Sequence, residues 1–216
     1  MAEFRLRIGF SKTGAAIWLS HLEVVRVMER CIRRSGLPYS ISQGFSPHMK
    51  HTFSAALPVG TGSLGEYMDV EITESIRPEE ALERLQAVQH ELLPVLSVAY
   101  AAKDEPSLQL AYNFATYQIE LEDPDGSVAS ELIKRLQRKP TIEVVKKGKS
   151  KSYDLTQYVV DANLDASTPA ALLLSLVSRP EGSLRPEVIL ATVAGPDLSP
   201  VITSLMRVKI EQRDLG

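Results

Sequence analysis

A five-residue pattern occurs twice, half a chain apart: Ser75-Ile-Arg-Pro-Glu79 returns as Ser183-Leu-Arg-Pro-Glu187, four residues identical and isoleucine replaced by leucine, an offset of 108 in a chain of 216 residues. Each copy follows an apolar stretch and opens a segment of helical periodicity. Proline and glutamate are favoured at helix starts on local grounds, because proline lacks an amide that would be orphaned there and glutamate faces the positive end of the dipole. Position and context therefore carry more weight than the letters. Together they predict two halves built alike. A chain this long buries about 70% of its extended surface, enough for one large core or two small domains.

The first half opens with Phe4, Leu6, Ile8 and Phe10 alternating with Arg5, Arg7 and Gly9, the period of a half-buried strand. Ser20 and Glu23 form a capping box, which predicts a helix to about Ser35 with Leu22, Val25, Met28 and Ile32 as its apolar stripe and Gly36 as its stop. Thr52 to Leu57, a glycine turn over Gly60 to Gly65, and Tyr67 to Thr73 predict a strand pair. Pro78 starts a second helix, and Val95 to Ala101 supplies the last strand.

In the second half, strands are expected over Leu110 to Leu121, Thr141 to Val145, Ser152 to Val160 and Ala170 to Val177. Helices are expected over Ser127 to Arg138 and Pro186 to Ala194, with a closing strand over Val201 to Glu211. The order β-α-β-β-α-β predicts an α+β fold of two tandem ferredoxin-like subdomains with antiparallel sheets, residues 1–104 and 105–216.

Cys31 is the only cysteine, so the chain forms no internal disulfide and no thiolate cluster of its own. The thiol falls near the apolar side of the first helix and reads as inert. The first residues lack the apolar run of a signal peptide, and Ala170 to Val177, broken by Ser175, is far shorter than the ~20 residues that cross a bilayer. A cytoplasmic protein with no membrane partner is expected.

The net charge of −3 conceals segregation. Residues 1–60 hold eight Lys or Arg against three Glu, residues 61–104 hold three against nine acids, and residues 134–151 hold eight against Glu143 alone. Local fields of this kind govern encounter with charged partners. On the first helix Arg26, Arg30 and Arg34 recur at helical spacing. Their guanidinium forks match phosphate oxygens, and Arg7 and Lys50 would extend the track. Dipole compensation and exposed pairs with Glu29 are the alternative. Lys146, Lys147, Lys149 and Lys151 flank Gly148 and predict a positive hairpin suited to a phosphate backbone or an acidic protein, or simply a charged edge that resists aggregation. Tyr153 and Tyr158 beside it can stack on bases or pack.

Polar groups are densest in Ser20-His-Leu-Glu23 and in Ser42-Gln-Gly-Phe-Ser-Pro-His-Met-Lys-His51, which hold three of the four histidines. Loops on a rigid scaffold commonly carry sites, so the candidate recognition pocket is Ser20, His21, Glu23, Gln43, Gly44, Phe45, Pro47, His48, Lys50 and His51. A metal on His48 and His51 would need a third ligand such as His21, Glu23 or Glu66, and no known metal motif occurs. The histidines can instead move protons, or hold the loop by hydrogen bonds. No metal, cofactor or catalytic residue is assigned. Asp69 and Glu71 share one strand face and Glu66 takes the other. Trp18 is expected to bury its ring or, facing solvent, to stack a ligand.

Phe4-Arg-Leu-Arg-Ile-Gly-Phe-Ser-Lys12, Trp18-Leu-Ser-His-Leu-Glu23, Ser42-Gln-Gly-Phe-Ser-Pro-His-Met-Lys50, Ala56-Leu-Pro-Val-Gly60 and Gly65-Glu-Tyr-Met-Asp-Val70 follow in fixed order. Together they resemble the family of radical-SAM-linked proteins of uncharacterised function, with Glu23 standing where that family often has aspartate. Members occur alone or joined to a B12-binding radical-SAM module. The resemblance thus implies an accessory role in a radical modification system, a B12-binding radical-SAM protein as partner, and RNA or a ribosomal protein as substrate. A radical-SAM domain needs three cysteines for its cluster, so one cysteine leaves that chemistry to the partner. The expected function is a non-catalytic accessory protein that binds or presents RNA, or an RNA-associated protein, to such an enzyme. The alternatives are a metal-dependent or histidine-based RNA-processing enzyme using His21, His48 and His51, and a purely protein-binding scaffold.

Overall fold

A computed structural model describes residues 4–102, 104–146, 148–168, 170–179 and 182–213 and shows a mixed α+β protein. Two compact units divide it, Met1–Tyr112 and Asn113–Gly216, so residues 105–112 belong with the first unit rather than opening the second.

The first unit runs β1 (Phe4–Lys12), α1 (His21–Ser35), β2 (His51–Phe53), β3 (Gly62–Ile72), α2 (Pro78–Gln86), β4 (Val95–Tyr100) and a single turn, α3 (Leu108–Ala111). The strands lie in the order β4-β1-β3-β2, each antiparallel to its neighbour. The capping box forms as the sequence predicts: the Glu23 carboxylate accepts from the Ser20 amide at 2.8 Å, and Gly36 closes the helix at φ 69°. The apolar stripe is displaced, however. Val24, Met28, Cys31 and Ile32 face the core, the i, i+4, i+7, i+8 pattern of a buried helix face, whereas Leu22 is exposed. The glycine turn is also shorter than expected, because Gly62 and Gly65 already lie in β3 and Gly60 alone turns the chain at φ 86°.

The second unit runs β5 (Phe114–Leu121), α4 (Ser127–Gln137), β6 (Thr141–Lys146), β7 (Lys149–Asp154), β8 (Val159–Leu164), β9 (Ala171–Val177), α5 (Pro186–Ala194) and β10 (Ile202–Glu211). Its main sheet has the order β10-β5-β9-β8, again antiparallel. β6 and β7 form a separate hairpin. The continuous strand expected over Ser152 to Val160 is broken, because Asp154 accepts from the Thr156 amide at 2.9 Å and starts a 3-10 turn. The strand expected from Leu110 likewise begins only at Phe114, after α3. No helix among the described residues is long and apolar enough to cross a membrane.

Candidate functional site

Strand parity places two charges where the core would be expected. Lys12 continues the inward side of β1 behind Leu6, Ile8 and Phe10, and Glu66 precedes Met68, Val70 and Ile72 on the same side of β3. Both are buried, Lys12 at 2% and Glu66 at 5% exposure. A buried ammonium is tolerable only when its three protons find acceptors. Lys12 Nζ donates to the carbonyls of Thr61 at 3.1 Å, Ile17 at 3.2 Å and Pro58 at 3.5 Å. Glu66 accepts from Ser54 Oγ at 3.1 Å.

Together with His21, Phe10, Phe53 and Leu57 these groups line a small pocket with a cavity volume of about 20 Å³, room for a water or two. His21 and His51 each meet the Phe53 ring edge-on at 5.4 Å. Burial pushes the His21 imidazole below its ordinary value, and His51 and Lys12 act in the same direction against Glu66. His21 is therefore neutral near pH 7. His51 bonds outward, Nε2 to Glu29 Oε1 at 3.1 Å, which ties the β2 edge to α1.

The remaining candidates separate. His48 Nδ1 bonds Ser42 Oγ at 2.8 Å, and the Ser42 amide donates to the His48 carbonyl, closing a loop with Gln43, Gly44, Phe45 and Pro47 exposed at its outside. The three histidines thus do not form one centre. His21 and His51 share Phe53, while His48 fastens its own loop. Among the described residues no three His, Cys, Asp or Glu side chains gather as a metal-binding group. Ser20 and Glu23 are engaged in the helix cap, whose hydrogen bonds hold the Glu23 carboxyl below its usual range.

The phosphate track needs correction at two positions. Arg7 is buried at 8% exposure, with its guanidinium forked onto Asp69 at 2.8 and 2.9 Å and bonded to Glu105 and Tyr112. It is an internal pair that offers nothing to a phosphate. Lys50 pairs with Glu71 at 3.1 Å. Arg26, Arg30 and Arg34 are exposed on α1 as expected. At about 100° per residue, Arg26 lies ~60° around the helix from Glu29 and Arg34 ~140°, so the row drifts away from the histidine side. Arg34 approaches the side of Cys31, whose thiol burial pushes up and whose Sγ donates to the Leu85 carbonyl at 3.6 Å. Lys149 and Lys151 are exposed on the hairpin, Lys151 over the Tyr153 ring at 4.8 Å. Tyr153 meets the buried Tyr158 at 5.6 Å and packs on the core. Lys147 and the side chain of Lys146 lie outside the described residues.

Among the described residues two aromatic rings face solvent. Trp18, at 67% exposure, stands beside Gly60 just before the α1 cap, and Phe45, at 110%, is fully free at its loop tip. The solvent-facing alternative for Trp18 is the one realised. The profile of one protein family, described as "Uncharacterized protein conserved in bacteria (DUF2344)", matches residues 5–186. The chain belongs to that family. The match spans every residue of the Lys12, His21, Ser54 and Glu66 pocket, so this DUF2344 member carries the pocket within its family region. No curated protein matches the chain. Among solved structures it is similar to an unknown protein from Galdieria sulphuraria, at 9% identity and a TM-score of 0.28 over 81% of this chain and 80% of that one. A likeness at that score assigns neither fold nor activity.

Proposed function

We propose that this DUF2344 protein is an accessory subunit that binds an unpaired stretch of RNA and presents it to a partner radical-SAM modification enzyme in the cytoplasm. The observation that carries the RNA reading is the first unit's pairing of exposed aromatic rings, Trp18 and Phe45, with the exposed Arg26 and Arg30 of α1. Single-strand binders combine these two elements, because every base has a face to stack and every nucleotide a phosphate to neutralise. A duplex would leave the rings without partners. The radical-SAM link rests on the resemblance of the Ser20-His-Leu-Glu23 and Gln43-Gly-Phe-Ser-Pro-His48 motifs, together with a lone cysteine that leaves cluster chemistry to another protein. Reading each unit as a ferredoxin-like fold, in tandem, is supported by their common strand order.

Trp18 is the only tryptophan, so its fluorescence reports directly on stacking. Titration with oligouridylate should quench it, with an affinity that falls steeply as salt rises. The double variant Arg26→Ala, Arg30→Ala should flatten that salt dependence by about two counterions. An unquenched Trp18 together with no salt-sensitive association removes the reading.

A further inference from the structure

The helix pairs of the two units are joined at the same place by different groups. The offset of 108 that relates the repeated segments carries Leu85 of α2 to Val193 of α5. In the first unit Cys31 Sγ of α1 donates to the Leu85 carbonyl at 3.6 Å. In the second, Arg135 Nη1 of α4 donates to the Val193 and Ala194 carbonyls at 3.4 and 2.6 Å. A guanidinium on its long stem reaches an acceptor from farther away than a thiol does, so the ends of α4 and α5 stay joined without closing on one another. Beside this junction, where β6 begins, lies a cavity of about 340 Å³, within the range of small-ligand sites.

The cavity walls carry charge that the fold leaves unused. Arg135 is committed, because besides the two carbonyls it binds Glu131 at 3.0 Å and Asp197 at 2.6 Å. Arg138, one turn further on, has no hydrogen-bond or ion-pair partner for its guanidinium among the described residues. Glu143 of β6 accepts there only from Ser150 Oγ, at 3.3 Å, which leaves one carboxylate oxygen open. Although both line the cavity, Arg138 and Glu143 do not pair with each other. Thr192 gives its proton to the Val188 carbonyl at 2.8 Å, so towards a ligand its oxygen is an acceptor. Pro140, Ile142 and Val193 supply apolar surface.

Two unpaired charges of opposite sign select their guest. A simple anion gains Arg138 and is repelled by Glu143, and a simple cation meets the reverse. A zwitterion satisfies both, its carboxylate on the guanidinium fork and its ammonium on the carboxylate. We propose that this second-unit cavity binds a free α-amino acid with a large apolar side chain. Arg138 holds its carboxylate, Glu143 and the Thr192 oxygen take ammonium protons, and the side chain covers Pro140, Ile142 and Val193. The site is independent of the RNA reading, which rests on residues of the first unit.

The test is isothermal titration of the full chain with L-phenylalanine, 3-phenylpropanoate and 2-phenylethylamine, which share a side chain and differ in the charged groups they carry. Phenylalanine should bind saturably and at least about tenfold more tightly than either analogue, since each analogue lacks one charged hydrogen-bonding group. Arg138→Gln should remove the preference over phenylethylamine, and Glu143→Gln the preference over phenylpropanoate. Both side chains are exposed, so both variants should fold, as circular dichroism checks. If either does not, the wild-type series still decides. Absence of saturable phenylalanine binding overturns the proposal, as does an analogue that binds equally well or a preference that survives in both variants.

Discussion

The two units build the same strand order from different interiors. Among the described residues, nine of the eleven buried polar side chains lie in the first unit, including Arg7, Lys12, Glu66 and Asp69, and the second contributes only Asp123 and Arg207. The second unit's core is otherwise apolar, with Leu132, Leu136, Leu172 and Leu174 fully buried. Burying charge is costly unless geometry repays it, and here it is repaid by the fork of Arg7 on Asp69 and by the carbonyls that receive the Lys12 ammonium.

The contrast can be broken most directly at Asp69. Asp69→Ala removes the forked partner of the buried Arg7 guanidinium, leaving it Glu105 and Tyr112, and should cost about 3 kcal/mol in denaturant unfolding. Asp123, the second unit's buried acid, accepts from the Val128 and Ala129 amides at 3.2 and 2.8 Å and acts as a helix-start acceptor. Asp123→Ala should therefore cost less, about 1–2 kcal/mol. Equal losses would mean that the units do not differ as argued.

The smallest expected effect sharpens the same comparison by pH. His21 has a folded value below its ordinary 6.5, so the unfolded chain binds more protons in the window just beneath that value. Stability is complete above about 6.5 and declines as pH falls through the window, with a slope of at most about one proton. His21→Asn should remove that slope. An unchanged pH profile in the variant would show that His21 is not held neutral by the pocket.

Much of the architecture was legible because it follows local rules. The Ser20 and Glu23 cap, the proline starts at Pro78 and Pro186, and the alternation in β1 each satisfy a backbone or burial requirement within a few residues. The hairpin's separation from the second sheet was not legible, because alternation reports a strand without naming its neighbour. At the site, the histidines were singled out by their density, and the structure disperses them. Lys12 as a pocket residue was missed, although a usable signal existed. Lys12 and Glu66 each occupy an inward parity position among apolar residues, and a charge there is an anomaly to be explained. Their meeting, 54 positions apart in sequence, follows from the β1–β3 register, in which Phe10 pairs with Glu66. Arg7 does not extend the arginine track because residues 105–112 cover it with Glu105 and Tyr112, a contact that no local pattern in β1 announces.

Lys12 ends on three carbonyls drawn from the turn at Ile17 and from the loop at Pro58 and Thr61, a role that many proteins give to a bound cation. Here the positive centre is tethered covalently to the sheet by four methylenes. The two segments, already joined where the Gly60 amide donates to the Ile17 carbonyl at 2.8 Å, thereby share one anchor as well, and any displacement of that nitrogen shifts both at once. Trp18 follows one of these tethered carbonyls in sequence and stands at Gly60, inside the loop that bears the other two, so the anchor holds both segments that flank the exposed ring.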